Sequence, residues 1–224
     1  MKNEYNEMMT EHVEITQENN INLEVIDPMT LLQVQIIDLQ NSLDRLNLKY
    51  NILYGHVFNA LPNETLIEFF RSINDYNQYF ELLPIAAKRF LVVLTVKDTA
   101  GDNMPPNVLK AILDAGFSNF RIDLWRTYVG AIIKGHVLSD TFAEFEEPCS
   151  YSYATLDNDF TILAESKAWR RGNNGNILIN GKNVAVNLRG VNIVIYDQLD
   201  KTIIDSIAFD SHDKGHFTFK RAKL

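Results

Sequence analysis

Cysteine is nearly absent: Cys149 stands alone in 224 residues. That excludes an internal disulfide framework and points to folding in a reducing compartment. No uninterrupted apolar run approaches the ~20 residues that a membrane span requires. Residues 1–20 are polar and acidic, with neither the basic start nor the apolar middle of a secretion signal. Basic charge is also scarce, 21 Lys and Arg against 29 Asp and Glu for a net −8, which makes general binding to a phosphate backbone a poor fit. The sequence has no internal repeat and no low-complexity tract. What it does have is 46% apolar residues, enough to bury a full-sized core and to exclude wholesale disorder.

The negative charge is concentrated at one end. Glu4, Glu7, Glu11, Glu14, Glu18, Glu24 and Asp27 are opposed within residues 1–30 by Lys2 alone, so the rest of the chain is nearly neutral. Residues 1–27 form an acidic leader, either a solubilising tail or a segment that orders on a partner through Val13, Ile15, Ile21 and Leu23.

Asp27-Pro28 marks a helix start. Met29, Leu32, Ile36, Leu39, Leu43, Leu46, Tyr50, Leu53 and Val57 then follow at alternating spacings of 3 and 4. This is an a/d heptad repeat, whose apolar seam is covered by a matching seam on another helix. Residues 28–60 are expected as a coiled-coil stalk, a trimer before a dimer, with Leu32, Ile36, Leu39, Leu43, Leu46, Tyr50 and Leu53 at the contact. The alternative is an amphipathic helix packed on its own domain, since Leu31, Val34, Ile37, Leu48 and Ile52 widen the stripe.

Leu61-Pro62-Asn63 breaks this helix. Residues 61–87 are expected as a helical collar, one helix capped by Asn63 and another from Tyr76 that stops at Pro84. From Phe90 the period changes. Phe90–Val96 has the pattern of a buried strand, and Pro105-Pro106 opens a helix that ends at Gly116. Strands are expected at Tyr128–Ile133, Phe160–Ala164, Val191–Tyr196 and Thr202–Phe209. A hairpin is expected at Ile177–Ile179 and Val184–Val186, turning at Asn180-Gly181. The class is α+β: the N-terminal coiled-coil helix, then a mostly antiparallel β-sheet domain over residues 88–224 with covering helices.

Two stretches carry a resemblance. "NILINGKNVAVNLRGVNIVIYDQLDKTIIDSIAFDSH" resembles the first half of the interleukin-like EMT inducer (PANDER-like) domain, through Arg189-Gly190-Val191-Asn192 and Phe209-Asp210-Ser211-His212. "FLVVLTVKDTAGDNMPPNVLKAILDAGFSNFRIDLWRTYVGAIIKG" resembles its second half, through Val96-Lys97-Asp98, Gly116, Trp125-Arg126 and Lys134-Gly135. The halves stand in reversed order over about residues 88–212, which implies a circular permutation. The family's animal members are secreted and disulfide-bonded, unlike this chain, and its Trp-Arg segment is one residue longer before Lys-Gly.

The resemblance implies sugar binding, because the related stem domain of protein O-mannose N-acetylglucosaminyltransferase is a lectin for β-linked N-acetylglucosamine. Carried over by motif, Asp98, Arg126 and Arg189 would line the pocket, and Trp125 or Tyr128 would offer a flat face to a sugar ring. The alternative is that Asp98 bridges to one of the arginines and holds loops together.

Other chemistry is less well served. Glu144, Glu146 and Glu147 form a carboxylate run in which no acid/base pair stands out. His212 and His216 have metal-like spacing without a third ligand. Cys149 lacks a partner histidine. "RRGNNGN" at 170–176 lacks the strand-to-helix setting of a phosphate loop, and an exposed basic approach to a hairpin is expected instead. No catalytic residue, metal or cofactor is expected.

A leader, stalk, collar and lectin-like domain together make the layout of a fibre. The expectation is a bacteriophage virion protein, a head or tail fibre assembled in the host cytoplasm. Its leader would attach to a capsid or tail protein and its distal domain would bind a glycan, with no nucleic acid and no membrane span. The alternatives are a cytoplasmic bacterial accessory protein of surface-polysaccharide synthesis and a non-binding capsid decoration protein.

Overall fold

The computed structural model describes residues 27–156, 159–212 and 216–223, so all of the expected leader before Asp27 lies outside the described residues. The chain divides into two compact units, Met1–Ile52 and Leu53–Leu224.

Helix α1 runs from Pro28 to Ala60. Its start follows from local chemistry. Asp27 Oδ1 accepts the N–H groups of Met29 at 2.8 Å and Thr30 at 3.3 Å, and Oδ2 accepts the Thr30 hydroxyl. Pro28 occupies a position where no N–H is needed. The bond from the Thr30 hydroxyl, aided by the backbone donors, holds the Asp27 carboxyl below its ordinary range. Leu32, Ile36, Leu39, Leu43 and Leu46 are exposed along α1, and the side chains of Tyr50 and Leu53 lie outside the described residues.

The second unit is α+β, with three further helices and two antiparallel sheets. The helices are α2 (Asn63–Ser72), α3 (Tyr76–Arg89) and α4 (Pro106–Asp114). The larger sheet is built on β1 (Leu91–Lys97), flanked on one side by β2 (Arg126–Ile133) and β3 (His136–Phe145). The smaller sheet contains β4 (Cys149–Ala154), β5 (Thr161–Lys167), β6 (Asn174–Ile179) and β7 (Lys182–Asn183), in that order. On the other side of β1 lie β8 (Gly190–Asp197), β9 (Thr202–Asp210) and the edge strand β10 (Thr218–Arg221).

The two-residue period of a strand explains the layering. In β1, Val92, Leu94 and Val96 join the core under the helices, and Leu91 and Val93 join the core between the sheets. Strand β8 alternates likewise, with Val191, Ile193 and Ile195 on the helix side and Val194 and Tyr196 on the other. A central strand buried on both faces therefore reads as a continuous apolar run. Strand β5 is covered on one face only, by Ile162 and Ala164, and its burial alternates.

Residues 61–87, expected as a collar, supply a layer of this domain: Leu66, Phe70, Phe80 and Leu83 share one core with the strands. Asn63 does not cap α2 but is its first helical residue, and the carbonyl of Pro62 starts the hydrogen-bond ladder by accepting Leu66 N at 3.1 Å. Nor does α3 stop at Pro84. An internal proline costs about 3 kcal/mol, but buried side chains on both sides of it, Phe80 and Leu83 before and Ala86 and Ala87 after, offset that cost. The hairpin turns at Asn180-Gly181 with positive φ at both residues, as a type I′ turn requires. Its second strand is Lys182–Asn183, and the pairing runs on through Val184, whose N–H donates to the Ile177 carbonyl at 2.9 Å, before the expected strand to Val186 gives out. Strands β3, β4 and β10 were not anticipated.

A buried clasp ties the last strand to the helix layer. Arg221 Nε donates to both carboxylate oxygens of Asp205, at 2.8 and 3.0 Å. Its Nη2 donates to the carbonyls of Phe70 and Ile73 at the end of α2, at 2.8 and 3.0 Å. Burial raises the Asp205 carboxyl above its ordinary range, and Arg221 pulls it part of the way back.

Candidate functional site

The sheet register gathers the sequence-selected residues at one end of β1. Thr95 pairs with Val129 of β2 and with Asn192 of β8, and Lys97 pairs with Gly190. The β1–β8 register runs on to Lys97 and Gly190, which brings Asp98 beside Arg189. Pairing of β1 with β2 ends at Thr95 and Val129, beyond which the Ser166 hydroxyl donates to the Val96 carbonyl and accepts the Tyr128 N–H. Gly190 is required here by close approach: a Cβ would stand 2.2 Å from the Phe209 carbonyl oxygen, and φ is +91°.

Asp98 turns the chain out of β1 with φ +69°, and its Oδ1 is buried without a hydrogen-bond partner. The expected bridge from Asp98 is not how the arginines are held. Arg126 Nε pairs with Asp123 at 2.8 Å, its Nη1 pairs with Glu144 at 3.2 Å, and its guanidinium lies over the Phe142 ring. Arg189 Nε pairs with Asp210 at 2.9 Å. Each arginine thus has at least one carboxylate partner.

The loop after Asp98 rests on the end of β9. Ser211 donates to the Ala100 carbonyl at 3.0 Å, and Asn103 Nδ2 donates to the His212 carbonyl at 2.7 Å. His212 Nδ1 is buried without a partner. Among the described residues no group of three His, Cys, Asp or Glu gathers as for a metal ion.

From the smaller sheet, Gly175 reaches the same edge. Its carbonyl accepts the Thr95 hydroxyl at 3.0 Å, its N–H donates to Asn187 Oδ1 at 3.1 Å, and a Cβ would lie 3.1 Å from that of Lys97. The two residues before it, Asn173 and Asn174, hold side-chain oxygens that are buried and unpartnered.

Trp125 has φ +60°, and its ring lies 6.1 Å from that of Trp169, the planes inclined at 56°. Tyr128, the alternative ring, cannot face a ligand. It is fully buried, its hydroxyl donates to Asp140, and burial followed by that carboxylate pushes its ionisation far up. In the carboxylate run Glu144 and Glu147 are exposed and Glu146 is partly buried, and they pair with Arg126, Arg171 and Arg170 respectively. Cys149 is half-buried, and desolvation raises its thiol.

No family model matches this chain, and neither a curated protein nor a solved structure matches it. Among the described residues no helix is long and apolar enough to cross a membrane.

Asp98 and Arg189 thus lie where β1 and β8 meet, Trp125 and Arg126 lie at the start of β2, and none of the ion pairs above joins Asp98 to either arginine. Asn173 and Asn174 belong to "RRGNNGN", the stretch expected only as an exposed approach to a hairpin, and Trp169, just before it, lies beside Trp125. The paired asparagines after a glycine were the available signal. A separate cavity of about 260 Å³, lined by Glu64, Ile67, Asp197, Asp200, Thr202 and Ile204, lies by the β8–β9 turn, at the other end of β8 from Gly190.

Proposed function

We propose that this chain is a bacteriophage virion fibre protein, a head or tail fibre that oligomerises through α1 and displays a glycan-binding domain. One observation carries the glycan assignment: Asp98 Oδ1, Asn173 Oδ1 and Asn174 Oδ1 are buried acceptors without donors, on an edge whose arginines are matched by carboxylates. A buried polar atom left unpaired costs about 1–3 kcal/mol. A ligand rich in hydroxyl donors and without charge relieves that cost, and a sugar is such a ligand. An anion would bring further acceptors to acceptors.

The fibre assignment draws on the heptad side chains of α1, which are exposed from Leu32 to Leu46. Joining weak sugar sites on one coiled coil raises avidity by about 10²–10⁴ without a new contact. The leader, residues 1–26, is the candidate for attachment to a capsid or tail protein.

A glycan array probed with the wild-type chain, Asp98→Ala and Arg126→Ala tests the site. Retention signals should fall in both variants, and binding untouched by either excludes this edge. Light scattering of residues 28–224 tests the stalk, with a trimer expected and a monomer excluding it.

A further inference from the structure

We infer that the ligand spans at least two sugar rings and that Trp169 is a second ring-binding platform beside Trp125, which presupposes the glycan binding proposed above. The chain contains two tryptophans, and both stand in this pair. Trp169 is 56% exposed on a short 3₁₀ turn, Trp169–Arg171.

The two rings share one frame. The Trp125 carbonyl accepts Glu146 N–H at 2.9 Å, the Glu146 carboxylate pairs with Arg170 at 3.5 Å, and the Arg170 guanidinium lies 5.9 Å from the centre of the Trp169 ring. Trp125 and Glu146 both hold left-handed backbone, at φ +60° and +61°. Non-glycine residues adopt this conformation at a cost of about 1–3 kcal/mol, and such strain collects at ligand sites. The turn that carries Trp169 continues into Asn173 and Asn174, which bring their unpartnered acceptors.

A pyranose presents an apolar C–H face to an aromatic plane and hydroxyl donors at its rim. One flat ring cannot lie on two planes inclined at 56°, so each tryptophan takes a ring of its own. Arg170 and Arg171 are matched by Glu146 and Glu147, which favours neutral sugars over acidic ones.

The test uses the full chain and a glycan array that pairs mono- and oligosaccharides of N-acetylglucosamine, glucose, galactose and mannose. The best binder's methyl monosaccharide and trisaccharide are then titrated in solution by tryptophan fluorescence. The trisaccharide should bind about tenfold tighter than the monosaccharide. Trp169→Ala should abolish that preference, read from Trp125 fluorescence. Equal wild-type affinities for the two sugars, or a preference that survives Trp169→Ala, overturn the second platform and leave glycan binding standing. Wild-type binding to nothing on the array, or binding indifferent to Asp98→Ala, overturns the glycan site itself and the platform with it.

Discussion

In α1 the leucines at the d positions meet solvent, Leu39 at 70% and Leu46 at 64%, whereas in β1 Leu94 is fully buried between the helix layer and its neighbouring strands. The side chains are the same and the transfer free energy per buried area is the same. The apolar set of β1 is covered by its own chain, and that of α1 is exposed within it. Substitutions on the two surfaces should therefore act differently, those in β1 on folding of the domain and those on α1 on the oligomer proposed above.

The largest effect should come from Arg221→Met, which leaves Asp205 buried without its ion-pair partner and with only the field of Arg71. Breaking such a pair costs about 3–5 kcal/mol, read from denaturant unfolding of the domain, while α1 helicity should not change. The loss should depend on pH. A carboxyl raised in the folded state keeps its proton there, so its contribution is full in acid and falls as pH rises through the folded value. Without Arg221 that value rises further, so the variant should lose more at about pH 8 than at about pH 5. An equal loss at both would show that Asp205 does not titrate in this way.

Next, Leu94→Ala should cost the domain about 2–5 kcal/mol through the cavity it leaves. Leu39→Ala should shift domain unfolding by no more than about 0.5 kcal/mol, yet reduce the oligomer measured by light scattering. If both leucines behave alike, the two regions are not energetically distinct. The smallest effect should follow Asp27→Ala, which removes the cap of α1 and lowers helicity by circular dichroism. Because that carboxyl is held below its ordinary range, the wild-type cap should be present at neutral pH and lost on acidification.

The sequence made the doubly buried strands plain. β1 and β8 are apolar on both faces, and the heptad spacing of α1 needs no tertiary context to be seen. Strands β3, β4 and β10 were hidden because they are edges. "HVLSDTFAEF", "CSYSYA" and "TFKR" bury little, so alternation has almost nothing to act on. Pro84 misled because local propensity was weighed without the burial that overrides it. At the candidate site, the family resemblance pointed to Asp98 and both arginines but said nothing of the arginines' partners, since Asp123, Glu144 and Asp210 are chosen by three-dimensional proximity. Trp169 was missed because its connection to Trp125 runs through Glu146 and Arg170, a path absent from linear order.

The clasp also sets a timetable. The carbonyls of Phe70 and Ile73 are made early in synthesis, Asp205 much later, and Arg221 last of the four. Until residue 221 has left the ribosome, the Ile73 carbonyl lacks the donor that Arg221 supplies and Asp205 lacks its ion-pair partner. Docking of β10 is then the step that seals the nascent domain, and chains stalled before it would be the ones presented to chaperones and proteases.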